Sequence, residues 1–285
     1  MKETQPDVPA PAPAPGDIAE AIDRVRPRIG PFAARLLYFD AVPSTNDVAY
    51  RAAASGAEEG TTVVAAMQHR GRGRMGRAWH SPPGAGLYVS IVCRPRIDMP
   101  SVAGGAGATL AGVSALTLVA GVALAESLRS VSGLPVEIKW PNDLLVARRK
   151  LCGILAEASV IDGVLQHVIL GFGINLRLAD YPPELADRAT SIEAELGRPI
   201  ERGAVLAEAL VALAARYREF GDGRFGAVLG RWRVLSPSSA GATVAWMASD
   251  GPRRGTTAGV DDDGALLVRT AAGLERIVAG ELTWL

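Results

Sequence analysis

The sequence predicts an α+β chain in two parts, and three observations carry that reading. Strand-like apolar runs flank an Arg/Gly loop at residues 68–79 and recur between residues 136 and 176. Between these groups lies a stretch, residues 99–125, without a single charged side chain, which reads as one buried central helix. After Pro237 the pattern changes to short strands at 243–247, 254–260, 265–270 and 274–278 with glycine turns between them, as a small separate β-domain requires.

Taken in order, residues 1–31 form a Pro/Ala-rich extension expected to be disordered or extended. Within it, residues 17–25 place Ile18, Ile22 and Val25 on one side of a short helix. Too little chain precedes Arg35 for an independent DNA-binding domain. Leu36 to Phe39 reads as a strand, and Ser44-Thr45-Asn46 offers N-cap chemistry to a helix running through Ala54 and ended by Gly56. Strands at 61–67 and 87–93 bracket the basic loop. The uncharged stretch is long enough for a span of about 20 residues, but its many Ala and Gly residues favour a protein core over a bilayer. Strands follow at 136–140, 144–146, 150–157 and 164–176. Helical stretches cover residues 203–220 and then run through Arg233. The expected units are therefore 32–236 and 237–285.

Composition excludes several classes. The 285 residues carry 48% hydrophobic and 21% charged side chains with a formal net charge of zero, which suits a globular enzyme and gives no bulk attraction to a polyanion. No secretory signal pattern opens the chain, and Cys93 and Cys152 sit in apolar runs as core thiols of a reducing compartment. The cytoplasm is the expected location. His69, His80 and His167 show no metal-ligand spacing.

Residues 68–79 read Q-H-R-G-R-G-R-M-G-R-A-W, with four arginines, three glycines and no acid. Arginine forks match carboxylate and phosphate geometry, and glycine lets a ligand approach the backbone. Two scarcities point to further positions. Lysine occurs only at Lys2, Lys139 and Lys150, and asparagine only at Asn46, Asn142 and Asn175. On a hairpin through 136–157, Lys139 and Lys150 could face one pocket with Asn142 and Asp143 at its rim. Asp143 could hold Mg²⁺, or Asn142-Asp143 could simply turn the chain. Gly171 and Gly173 fit a close approach to a ligand or a bulge. Trp79 fits either the core or a binding surface.

Four motifs in order and spacing resemble those of biotin protein ligases. They are Gly71-Arg72-Gly73-Arg74-Met75-Gly76-Arg77-Ala78-Trp79, Lys139-Trp140-Pro141-Asn142-Asp143, Lys150-Leu151-Cys152-Gly153-Ile154-Leu155 and Gly171-Phe172-Gly173-Ile174-Asn175. The resemblance covers about residues 35–285. It implies a catalytic domain like that of class II aminoacyl-tRNA synthetases, a mixed sheet flanked by helices, followed by a small SH3-like β-barrel domain. It further implies that biotin and ATP react to biotinyl-5′-AMP and pyrophosphate, and that a specific lysine of a biotin carboxyl carrier domain of a carboxylase then takes the biotinyl group. By the same resemblance Ser44, Thr45, Asn46, Gln68, Gly71, Arg72, Arg74, Lys150 and Gly153 serve biotin. Arg77, Trp79, Lys139, Asn142 and Asn175 serve ATP, and Asp143 serves Mg²⁺. Lys150, Arg74 and Arg72 are the expected catalytic group. No bound prosthetic group, nucleic acid or membrane is expected, and the chain would be a monomer or homodimer.

His69-Arg70 departs from the small or neutral pair more usual in the family. Three other readings compete. A lipoate ligase or octanoyltransferase shares the fold and acyl chemistry, but shows a different loop, or a catalytic cysteine with a lysine. An arginine-glycine nucleic-acid binder would repeat the motif, and a non-catalytic interaction module would rest on the β-domain, where Asp261-Asp262-Asp263 looks like an acidic turn.

Overall fold

A computed structural model of the chain describes residues 9–95, 106–179, 181–248, 251–278, 280 and 282–285. Residues 1–8 of the proline-rich extension and 99–105 of the uncharged stretch lie outside them. In chain order the elements are α1 (Gly16–Val25), β1 (Leu36–Phe39), α2 (Thr45–Ala54), β2 (Thr62–Ala65), β3 (Gly86–Cys93), α3 (Ala106–Ser132), β4 (Glu137–Lys139), β5 (Asp143–Val146), β6 (Arg149–Ile161) and β7 (Val164–Asn175). They continue with α4 (Pro183–Ala186), α5 (Ile192–Leu196), α6 (Arg202–Gly221), α7 (Phe225–Leu235), β8 (Ala240–Ala248), β9 (Gly251–Val260), β10 (Leu266–Thr270), β11 (Gly273–Ile277) and β12 (Leu282–Trp284).

The larger sheet has seven strands in the order β1-β2-β3-β7-β6-β5-β4. Only β1 and β2 pair in parallel, with α2 as their connection; the remaining pairs are antiparallel. Because side chains alternate along a strand, the sheet has two different faces. Leu87, Val89 and Ile91 of β3, Leu170, Phe172 and Ile174 of β7, and Cys152 and Ile154 of β6 join the main core with α3. On the other face α2 sets Val48, Ala49 and Ala53 against Val63, Ala65, Val92 and Ile169. Under the first turn of α2 that same face carries Ser90, paired with Gly171, and farther along it Gly153, paired with Gly173. These small residues make a floor on which other side chains can lie.

α3 is apolar and long enough to cross a membrane over Gly112–Ser132, but 72% of that window is buried within the protein. Its burial against the sheet, α6 and α7 explains why charge is absent up to Ala125 and enters only at its C-terminal end, with Glu126 and Arg129.

The proline-rich extension, expected to be disordered or extended, is ordered where described. Ala12 donates its N–H to Tyr38 O at 2.8 Å, capping the outer edge of β1, a position that prolines tolerate. α1 buries Ile18, Ala21, Ile22 and Val25, the side read from the sequence, and packs on α6. Gly203 permits this contact, since a Cβ there would stand 2.2 Å from Asp17 O.

The C-terminal unit is an antiparallel sheet in the order β11-β10-β9-β8-β12. Its Val244, Val260, Leu266, Val268, Ile277 and Leu282 merge into the main core. Trp140, next to Lys139, donates Nε1–H to Gly264 O at 3.1 Å, so this unit is tied directly to the β4–β5 turn. β12 had no counterpart in the sequence reading; it is three residues long and is held by pairing with β8.

Candidate active site

One wall of the open floor is built by the start of α2. Ser44 occupies the N-cap position, but its side chain makes no capping bond, so the hydroxyl is not spent on the helix. Gln68, on the strand-to-loop junction, instead accepts from Thr45 N at 2.8 Å and from Thr45 Oγ1 at 3.1 Å. Its amide nitrogen donates to Ser81 Oγ at 2.9 Å. Ser90 Oγ, fully buried in β3, donates to Asn46 Oδ1 at 2.5 Å or to Thr45 Oγ1 at 2.8 Å. Asn46 then donates from Nδ2 to Glu157 Oε2 at 2.6 Å. A neutral hydrogen-bonded chain thus crosses the floor from Gln68 to Glu157 on β6. It depends on glycine: a Cβ on Gly171 would stand 2.1 Å from Asn46 Oδ1. Gly171 and Gly173 therefore give way to protein side chains and not to a bulge, because the register beside them is regular.

Above the floor runs the basic loop. Gly71 admits it, since a Cβ there would meet Trp79 O at 2.5 Å and Ser81 Oγ at 2.6 Å. Trp79 N donates back to Gly71 O at 2.8 Å, and Gly73 N to Arg77 O at 2.7 Å, closing a compact turn. At its tip Met75 takes φ +55° and Gly76 φ +73°; the first is a strained value for a residue with a Cβ. Arg72 Nη2 lies 2.8 Å from Asp47 Oδ1 and 2.7 Å from Glu157 Oε2. Arg74 Nη1 donates to Asn142 Oδ1 at 3.4 Å. Burial pushes the Arg74 guanidinium below its usual value; Asp143 opposes that shift and Arg77 adds to it. A cavity of about 320 Å³ lies between this loop and Leu155, Ala156 and Glu157 of β6.

The far end belongs to the β4–β5–β6 hairpins. Lys139 pairs with Asp143 across β4 and β5, and Asp143 with Gly153 across β5 and β6, so these positions share the floor's face. Lys150 Nζ lies 2.7 Å from Asp143 Oδ1. That oxygen is buried and lacks a well-directed hydrogen bond, so the contact is an ion pair first. Lys150 also stands 5.2 Å from the centroid of Trp79, within cation–π range. Trp79 is half-buried and lies flat on the backbone, where a Cβ on Gly173 would be 2.4 Å from its Nε1 and one on Gly153 2.8 Å from its Cζ3. It is not a core residue.

Lys139 and Lys150, expected to face one pocket, lie on one sheet face on either side of Asp143. Lys139 Nζ lies 5.8 Å from the centroid of Trp284, in the C-terminal unit, while Lys150 turns to Trp79 and Asp143. Asn142 braces the hairpin by donating Nδ2–H to Ile154 O at 2.7 Å, and Asn175 fixes the 188–190 segment by donating to Thr190 O at 2.9 Å. Sequence reading passed over Asp47, Ser90 and Glu157. The signal available for Glu157 was its spacing on β6, four residues beyond Gly153 and therefore on the same face.

Cys152 follows Lys150 by two residues but points into the core, fully buried, and burial pushes its thiol well up. Cys93 is likewise buried with a raised thiol. Neither offers a thiolate to the floor.

The arrangement has neutral hydrogen-bonding groups at one end and cations above and beyond them. It fits a ligand with a polar uncharged head, an anionic tail and phosphates. Comparison with known proteins agrees with this chemistry. Residues 38–175 match the Biotin/lipoate A/B protein ligase family and residues 247–282 the Biotin protein ligase C terminal domain. The bifunctional ligase/repressor BirA of Bacillus spizizenii is 34% identical over 270 residues, which cover 94% of this chain and 79% of that protein. The biotin–[acetyl-CoA-carboxylase] ligase of Paracoccus denitrificans is 33% identical over 84% of this chain and 96% of its own length. Among solved structures, a biotin protein ligase from Aquifex aeolicus in complex with biotin and ATP superposes with a TM-score of 0.73 at 28% identity, covering 88% of this chain and 99% of that one. The α+β architecture with its class II synthetase-like catalytic sheet and SH3-like C-terminal unit, the loop over a glycine floor and these relatives converge, and the chain belongs to the biotin protein ligase family.

Proposed function

We propose that the protein joins biotin to ATP as biotinyl-5′-AMP and transfers the biotinyl group to a lysine of a biotin carboxyl carrier domain. The observation that carries this reading is the pairing of the Gln68–Thr45–Ser90–Asn46 chain with the cations Arg72, Arg74 and Lys150 on one sheet face. Biotin has a neutral ureido head, which suits the hydrogen-bonding wall of Ser44, Thr45, Asn46 and Gln68. Its carboxylate tail then reaches toward the arginines and Lys150, over Gly71 and Gly153.

In the first step a biotin carboxylate oxygen attacks the α-phosphorus, and the bond to the β-phosphate oxygen breaks. Pyrophosphate leaves with that electron pair. No enzyme nucleophile takes part, so catalysis rests on holding the two anions together and offsetting charge as it moves. Lys150, Arg72 and Arg74 meet the carboxylate and α-phosphate, while Lys139, Asn142 and Arg77 serve the departing phosphates. Trp79 and Asn175 shape the nucleotide side. In the second step the carrier lysine attacks the acyl carbon, and AMP leaves.

Asp143 is a lone carboxylate already paired with Lys150, and no group of three or more His, Cys, Asp or Glu ligands occurs among the described residues. This donor set fits Mg²⁺ that arrives on ATP and takes one protein oxygen, and it does not fit a resident ion. The metal would supply charge neutralisation on the phosphates.

Lipoate ligation and octanoyl transfer are less well supported. The Paracoccus denitrificans relative is a biotin–[acetyl-CoA-carboxylase] ligase and the Aquifex aeolicus structure a biotin protein ligase, and the buried Cys152 cannot act as an acyl-carrying thiolate. The free Cys93 and Cys152 suit the reducing cytoplasm. The direct test is exchange of labelled pyrophosphate into ATP. It should depend on biotin and fail with lipoate or octanoate; equal exchange with lipoate would replace this reading.

A further inference from the structure

Glu157 lies outside the motifs that mark the family, yet two of the groups assigned to biotin meet on a single one of its atoms. Oε2 accepts from Asn46 Nδ2 at 2.6 Å and holds Arg72 Nη2 at 2.7 Å. Asp47 takes the same Arg72 nitrogen at 2.8 Å. The carboxylate therefore joins two parts of the site that come from distant stretches of chain. One is the wall at the start of α2, and the other is the base of the loop.

We infer that Glu157 is a positioning residue that fixes Arg72 and Asn46 relative to each other and so sets biotin affinity. This rests on the ligase reading. Three features support it. Asn46 is 5% exposed, and its remaining Nδ2 contact, to Leu155 O, is long at 3.4 Å. Without Glu157 a buried amide loses its good acceptor, and its side chain gains freedom to turn. Rotation of Asn46 would carry Oδ1 away from Ser90, and with it the link to Thr45 and Gln68.

The second feature concerns Arg72. Both of its ion pairs use Nη2, so the guanidinium keeps the donors on Nη1 and Nε for an anionic ligand. Two carboxylates on one nitrogen hold the fork in place without consuming it. The third feature is the cavity between the loop and β6, which Arg72 and Glu157 both line. The pair thus stands at the edge of the space that the ligand would enter.

The base and the tip of the loop then have different roles. Arg72 is anchored before any ligand arrives, whereas Met75 at the tip is 69% exposed and free to close afterwards. A preset base removes part of the ordering cost of binding.

Two substitutions separate charge from geometry. Glu157→Gln can keep an oxygen where Oε2 now lies but removes the charge; Glu157→Ala removes both. In pyrophosphate exchange the biotin KM should rise at least about tenfold in Glu157→Ala, and by less in Glu157→Gln. The ATP KM should stay within about twofold, and in Glu157→Gln, which can keep an acceptor for Asn46, the melting temperature should stay near that of the parent. Equal rises in both KM values, or a rise explained by lost stability, would mean a merely structural role and overturn the inference.

A second readout needs no substrate. In the ligand-free protein, trypsin should cut after Arg72 several-fold faster in Glu157→Ala than in the parent, since the base is no longer anchored. Unchanged cutting together with an unchanged biotin KM would sink the proposal. Faster cutting in a protein whose parent shows no biotin-dependent exchange would leave the anchor standing and remove the ligase reading instead.

Discussion

On the floor of the site Ser90, Thr45 and Asn46 are 0%, 4% and 5% exposed, and each has a hydrogen-bond partner. Directly above, the tip of the loop carries Met75 at 69% exposure and a left-handed φ of +55°. The floor is polar yet buried, so every group must be satisfied or the fold suffers. The tip is exposed and held by few contacts, so its conformation can answer to a ligand at little cost. The difference assigns recognition to the floor and closure to the loop. The neutral head of biotin would meet a wall already formed, and the charged tail would meet an anchored Arg72 beneath a tip that can still close.

The sharpest way to break this comparison is to spoil the floor. Gly173→Val would place a branched side chain where even a Cβ stands 2.4 Å from Trp79 Nε1. Trp79 would have to lift, and Lys150 would lose the ring it faces at 5.2 Å. We expect a loss of about 2–3 kcal/mol in stability, in the upper part of the range for overpacking, with adenylate formation abolished. Chemical denaturation and pyrophosphate exchange check the two parts. A stable variant with normal exchange would show that Trp79 need not lie on the floor.

A smaller effect is expected at the boundary between floor and loop. Lys150→Arg keeps the charge but replaces a compact ammonium with a longer planar fork. Arginine could pair side-on with Asp143 and stack on Trp79 at once, and would then be held away from the reacting carboxylate. Adenylate formation should fall at least about tenfold, or about 1.4 kcal/mol in the barrier, with little change in stability. An undiminished single-turnover rate would remove Lys150 from the reacting group.

The contrast between floor and loop also explains what could be read from the sequence. The strands, α2 and α3 were legible because their apolar residues recur at strand or helix periods, and Gly171, Gly173 and Gly153 because glycines inside strands need a reason. What those glycines admit was not legible. Asn46 and Trp79 reach them from other stretches of the chain, and no local pattern records that contact. Glu157 looked like any acid at the end of a strand, since its meaning depends on Arg72 arriving from far away in sequence. The Trp284 ring beside Lys139 was not legible for the same reason. Trp284 belongs to the last strand, and hairpin geometry alone could not supply it. For the N-terminal extension the sequence left disorder and an extended chain both open, and what decides between them, the single N–H of Ala12 on β1, leaves no local pattern.

The smallest expected effect concerns an arginine–carboxylate pair that resembles Arg72–Glu157 but lies outside the site. Arg202 donates to both oxygens of Asp17, from Nε at 2.6 Å and from Nη2 at 2.9 Å, with side chains 35% and 45% exposed. The Arg202 hydrogen bond is the main cause holding the Asp17 carboxyl below its ordinary value, against a smaller opposing effect of burial. A carboxylate whose folded pKa is depressed stabilises the fold above its unfolded value, and that contribution fades as pH falls through the folded one. Asp17→Asn should therefore lower stability at pH 7, but by less than about 1 kcal/mol, because solvent screens an exposed pair. The gap between parent and variant in urea unfolding should close as the pH is taken below the ordinary aspartate range. A gap that persists in acid would mean that Asp17 acts through α1 packing and not through charge.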